Sequence, residues 1–189
     1  MDKSFVLPDN IFDIWNKTDK RIMKLGDPIL SAQASRVDFP LSETTISLIN
    51  YMKEVLNQNP GVGLAAPQVG ESLRIIIYKA PESQNIYTLI NPKITASKGE
   101  VISEEGCLSL PLIYGKVKRA SNITVRYQNE HGETNTEDHG GIEAIIIQHE
   151  TDHLNGVLFI DKVMPETLFV LTKPNSNNLL SRLFTNSTK

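Results

Sequence analysis

The stretch GGIEAIIIQHETDHLNG, residues 140–156, decides how this chain is read. Two glycines precede a run in which Ile142, Ile146, His149 and His153 recur at helical spacing, and Gly156 stands where a helix is expected to stop. A helix turns once in about 3.6 residues, so His149 and His153 project from one face, with Glu150 beside the first. That face also carries isoleucines, so the imidazoles point inward, where each needs a partner. A metal ion shared by the pair, with Glu150 placed to move a proton, is the chemistry this spacing suits, and it is hydrolytic.

Upstream of that helix the chain is rich in strand. The segments LRIIIYKA (73–80), IYTLINP (86–92), KGEVISEE (98–105) and NITVRYQN (122–129) carry β-branched and aromatic residues between turn signals. NEHGE (129–133) reads as a hairpin loop into one more strand. Before them Ser42 suits the N-cap of a helix in which Ile46, Ile49, Met52 and Leu56 recur until Asn59-Pro60-Gly61 ends it. A short helix is expected near residues 10–16, followed by loop and turn in LGDPILSAQA (25–34). The order predicts an α+β fold, with antiparallel sheets packed around a central metal-binding HExxH helix and a preceding N-terminal helix.

A chain of 189 residues fits one domain and buries roughly two-thirds of its unfolded surface. With 22% charged residues, 40% hydrophobic residues and a net charge of -3, nothing in the bulk electrostatics argues for nucleic acid or an anionic membrane. The N-terminal residues lack the apolar run of a signal peptide, and no window approaches the roughly 18 uncharged apolar residues of a membrane span. Cys107 is the only cysteine and forms no intramolecular disulfide, so a reducing, cytoplasmic setting is expected.

A catalytic metal site usually takes three protein ligands and keeps one position open. In one peptidase class the motif continues HExxHxxGxxH, but here Phe159 stands where that third histidine would be, and phenylalanine cannot ligate. In another class a glutamate about twenty residues on completes the set; Glu166 comes only thirteen after His153, behind Pro165, and fits badly. The remaining soft donor is Cys107 in EEGCLSLP (104–111). A lone cysteine is more often a buried small hydrophobe, and spacing alone leaves both readings open.

Three segments, GVGLAAPQ (61–68), EGCLS (105–109) and QHETDH (148–153), in this order and approximate spacing resemble the signature motifs of peptide deformylases. These enzymes remove the formyl group from the formyl-methionine of new polypeptides, and the likeness runs from about Ile22 to Val163. It implies a divalent ion on Cys107, His149 and His153, Glu150 as the proton carrier, and an oxyanion hole from the Gln68 side-chain amide and the Leu108 backbone N–H. It also implies a substrate site at Gly61, Val62, Gly63, Leu64, Gly106 and Ile146, with Ile145 a further candidate lining. Without side chains, Gly61 and Gly63 would let an extended peptide approach the loop. Arg119 and Asp152 match an acid and a base of the family and are expected to pair behind the metal.

One thiolate and two imidazoles suit Zn2+ or Fe2+ equally on softness. The family is known for readily oxidised iron, so the resemblance implies Fe2+, with Zn2+, Ni2+ or Co2+ able to substitute. Lys118 replaces a proline common in the family, and Tyr114 stands where some members have a basic residue, so the substrate rim is individual. The expected division is an N-terminal extension at 1–21, a catalytic domain at 22–165, and a tail at 166–189 whose LLSRLF (179–184) is either a short docking helix or disordered. Some relatives dock on the ribosome through a basic C-terminal helix; Arg182 and Lys189 make a poor basic patch for that partner. Two other functions compete. A zinc peptidase of another class would release free amino acids from unformylated peptides, and a silent peptide-binding relative would bind formylated peptide without turnover.

Overall fold

The computed structural model describes residues 11–83 and 85–171. In chain order the regular elements are α1 (Ile11–Trp15), α2 (Glu43–Gln58), β1 (Gly63–Ala65), β2 (Ile75–Lys79), β3 (Ile86–Lys98), β4 (Val101–Cys107), β5 (Leu110–Arg119), β6 (Asn122–Gln128), β7 (Thr134–Gly140), α3 (Gly141–His153) and β8 (Phe169–Val170). The strands form two sheets, a five-stranded one in the order β1-β2-β3-β6-β7 and a three-stranded one in the order β4-β5-β8. Every pairing between these strands is antiparallel, and the fold is α+β.

Period-two alternation divides the core. Along β2, Ile75 and Ile77 pack with Val55 and Leu56 of α2, while Ile76 and Tyr78 pack with Ala144 and Ile147 of α3. The five-stranded sheet therefore lies between the two long helices. A third cluster joins Leu110, Ile113 and Val117 of β5 to Ile11 and Trp15 of α1 and to Phe159. Trp15 Nε1 donates to the Pro111 carbonyl at 2.8 Å, so the described part of the expected N-terminal extension is packed onto the body.

The Ser42 hydroxyl accepts from the Thr45 N–H, as its N-cap position requires. The buried stripe of α2 is Thr45, Ile49, Met52, Val55 and Leu56, and Ile46, expected to be inward, is 47% exposed. It falls at the margin of that stripe, where a helix face turns to solvent. β3 runs six residues beyond the Pro92 at which the sequence reading ended it. The missing N–H of Pro92 falls in the register shift between Ile90 and Lys93, so it interrupts no ladder bond. Strands β1 and β5 carry no clear strand signal in the sequence: Gly63 reads as turn, and Pro111 and Gly115 disguise a strand. β8 pairs Val170 with Ile113 and Phe169 with Tyr114, which brings the first part of the expected tail into the sheet. LLSRLF lies outside the described residues.

Candidate active site

Strand β4 ends at Cys107 and α3 ends at His153, one turn beyond His149. Cys107 Sγ lies 3.3 Å from His153 Nε2, and one ligand-capable atom from each of Cys107, His149 and His153 falls within 4.8 Å of the others. The sulfur that spacing alone could not assign is thus brought to the two imidazoles. Alternation along β4 puts Glu105 on the same face as Cys107, and Glu105 Oε2 accepts from His149 Nδ1 at 2.8 Å. A carboxylate only accepts, so the His149 proton sits on Nδ1 and Nε2 is left as a donor of electrons.

Glu105 is held in turn. Arg119, at the end of β5, donates through Nε and Nη2 to its two oxygens, both at 2.8 Å, and through Nη1 to Asp152 at 2.5 Å. Asp152 also accepts from Lys162 at 2.6 Å. The expected contact between Arg119 and Asp152 is one link of this chain; Glu105, the link that touches a histidine, was not singled out from sequence. Its signal was available, because residues two apart on a strand share a face. Burial would raise the Glu105 pKa, but the bonds from Arg119 and His149 outweigh it and hold it at about 2.

Gln68 sits in a short 3-10 turn, Ala66–Val69, and is 1% exposed. Its Oε1 accepts from the Ala65 N–H at 2.8 Å, which orients Nε2 toward Ser109 Oγ at 3.2 Å and Cys107 Sγ at 3.4 Å. Ser109, fully buried, is a second site residue with no signal of its own in the sequence. The Glu150 carboxyl is pushed up to about 7, chiefly by burial, and its Oε2 is buried without a hydrogen-bond partner among the described residues. An acceptor at that pKa is suited to taking and returning a proton near neutrality.

These groups open onto a cavity of about 450 Å³. Val62, Ile142, Ile145 and Ile146 give it an apolar wall, and Gly61, Gly63, Gly106 and Leu108 border it. Leu64, expected among the substrate contacts, is fully buried with the α2 cluster and does not line the cavity. It follows Gly63 on a strand and so points to the opposite face. The glycines have a further use inside the protein: a Cβ on Gly63 would collide with the Glu150 carboxylate, and one on Gly61 would come within 2.8 Å of Leu108. Gly106 is covered by the Tyr114 ring across the ladder.

The donor set fits a divalent cation. Sulfur with two imidazoles suits Fe2+ or Zn2+. Burial disfavours charge on His149, yet Cys107 and Glu105 draw a proton to it, so the cluster calls for positive charge that a cation would supply instead. His153, buried beside His149, is held well below its ordinary pKa and stays neutral, as a ligand must.

The pattern that defines the polypeptide deformylase family matches residues 19–168. The peptide deformylase of Halothermothrix orenii is 49% identical over 144 residues, covering 76% of this chain and 93% of that protein. That of Pseudothermotoga lettingae is 44% identical over 155 residues, covering 82% and 88%. The crystal structure of peptide deformylase from Thermotoga maritima superimposes with a TM-score of 0.72 at 40% identity, over 76% of this chain and 97% of that one. The Acinetobacter baumannii enzyme with Met-Ala-Ser bound gives 0.70 at 35% identity, over 75% and 96%.

Proposed function

Because this chain belongs to the polypeptide deformylase family, we propose that Cys107, His149 and His153 hold its metal, that Glu150 carries the proton, and that Gln68 and Leu108 stabilise the oxyanion. As a peptide deformylase it is a metal-dependent hydrolase that removes the N-formyl group from new polypeptides. The observation that carries the residue assignment is the convergence of those three ligand-capable atoms near Glu150, whose buried Oε2 has no hydrogen-bond partner among the described residues. A divalent ion held by these residues would supply Lewis acidity, the chemistry that polarises a carbonyl and acidifies water.

The chain's own groups account for the other steps. An extended peptide lies between the Gly61–Gly63 loop and β4, with its methionine side chain against Val62, Ile145 and Ile146. Glu150 accepts the proton of the attacking water and returns it to the departing amine, for which a pKa near 7 is well matched. Gln68 Nε2, its amide fixed by Ala65, and the Leu108 N–H face the oxygen on which negative charge develops. Formate leaves, and the free α-amine of methionine remains. Met-Ala-Ser in the A. baumannii relative has the chemistry of such a product.

The native ion in this reading is Fe2+, with Zn2+, Ni2+ or Co2+ able to take its place. The working compartment is the cytoplasm, where nascent chains are made; among the described residues no helix is long and apolar enough to cross a membrane. The test is formate release from a short formyl-Met peptide by anaerobically prepared, iron-loaded protein, beside Cys107→Ser and Glu150→Ala. Turnover is expected in the wild type alone, with Glu150→Ala lower by about 100-fold or more. Full activity in either variant would overturn the assignment of that residue.

A further inference from the structure

Phe159 occupies the place where a longer metal-binding motif would have a third histidine, and the structure puts it against a ligand instead. Its ring lies 6.1 Å from that of His149, centroid to centroid, with the planes 22° apart. His153 approaches the same imidazole edge-on, at 5.2 Å and 67°. Phe159 is 1% exposed and belongs to the cluster that underlies the three-stranded sheet, so its ring has little freedom.

The Glu105 hydrogen bond fixes one atom of the His149 ring, Nδ1. One hydrogen bond leaves the plane of the ring free to rock about that atom, and a flat surface against one face removes that freedom. The turn that carries Phe159 is tied to α3 in two further ways. The Val157 N–H donates to the Asp152 carbonyl at 3.0 Å, and Lys162 Nζ donates to Asp152 Oδ1 at 2.6 Å. Lys162 is also the outer cation of the chain that runs through Asp152, Arg119 and Glu105 to His149. One turn therefore reaches the same ligand from two sides, by ring contact and through the ionic chain.

We propose that Phe159 and Lys162 are positioning residues that set the orientation of His149 as a metal ligand. The inference rests on the reading of Cys107, His149 and His153 as the metal site. Phe159 holds the imidazole plane, and Lys162 balances Asp152 so that Arg119 keeps both bonds to Glu105. Neither touches substrate or the reacting atoms.

The apoprotein is titrated with Co2+, whose absorption reports thiolate and imidazole ligation, and the affinity is read by competition with a chelator. Phe159→Leu keeps a buried apolar group but removes the flat face, and is expected to weaken Co2+ binding about tenfold. Lys162→Met is expected to weaken it about threefold, and Lys162→Arg to restore it, since the guanidinium can still reach the carboxylate. Ile113→Val, in the same cluster as Phe159, controls for loss of packing: it should lower the apoprotein melting temperature and leave Co2+ affinity unchanged. Wild-type affinity in both Phe159→Leu and Lys162→Met, or an equal loss in Ile113→Val, would overturn the inference while the metal reading stands. Absence of thiolate-to-cobalt absorption in the wild type would remove the metal reading, and this inference with it.

Discussion

Gly63 controls how close Glu150 stands to the cleft, because a Cβ there would collide with the Glu150 carboxylate. Gly63→Ala is expected to lower kcat about 100-fold through displacement of the carboxylate by a fraction of an ångström, with metal content unchanged. Formate release and metal analysis on the same preparation check this; wild-type kcat would show that Glu150 has room to yield. From sequence, glycines in GVGLAAPQ (61–68) suggested only room for a peptide backbone, since the carboxylate that fills the space is far along the chain. His149, His153 and Glu150 were legible because helical spacing alone brings them together. Cys107 needed the family resemblance; strand alternation puts Glu105 on the same face as Cys107, but its partner His149 lies far along the chain and is given only by the packing of β4 against α3.

At the scale of elements, the segment before the short 3-10 turn Pro28–Ser31 is tied to the C-terminal end of α2 through Asp19. Asp19 accepts from the Arg21 guanidinium at 2.6 Å and from Asn59 Nδ2 at 2.8 Å, and Asn59 also donates to the Val55 carbonyl. The Arg21 hydrogen bonds are the main cause that holds the Asp19 carboxyl well below the usual carboxylate range. A depressed pKa in the folded state means stability that is present above the unfolded value, about 3.9, and is lost as pH falls through the folded one. Asp19→Asn is therefore expected to lower the melting temperature at pH 7, and the gap to wild type should shrink as pH falls below about 4. A gap constant from pH 7 to pH 3 would rule out this charge as the source. Helix α2 was legible because its cap, stripe and stop are all local signals, whereas β1 and β5 were hidden by glycine and proline whose tolerance depends on pairing with distant strands.

At the scale of the molecule, the proposed metal ligands come from parts that otherwise have separate cores. Cys107 belongs to the three-stranded sheet, His149 and His153 to the helix packed on the five-stranded one, and Gln68 to the turn after β1. Sequence patterns showed the helices and most strands, but not that β4, the strand carrying Cys107, pairs into a different sheet from β3 before it, because pairing is a long-range choice. An ion held by both parts binds the folded chain and not the unfolded one, so its binding free energy adds to folding stability. At about 100 times the dissociation constant the gain is about 2.7 kcal/mol, which for a chain of this size raises the melting temperature by roughly 5–10 °C. Chelation of the wild type should remove that increment. Cys107→Ser, which loses the ligand from the three-stranded sheet, should melt at nearly the same temperature with and without chelator. An equal chelator effect in wild type and Cys107→Ser would mean that the ion is held by α3 alone, and that the two sheets are joined by packing and the Glu105–Arg119–Asp152 chain rather than by metal.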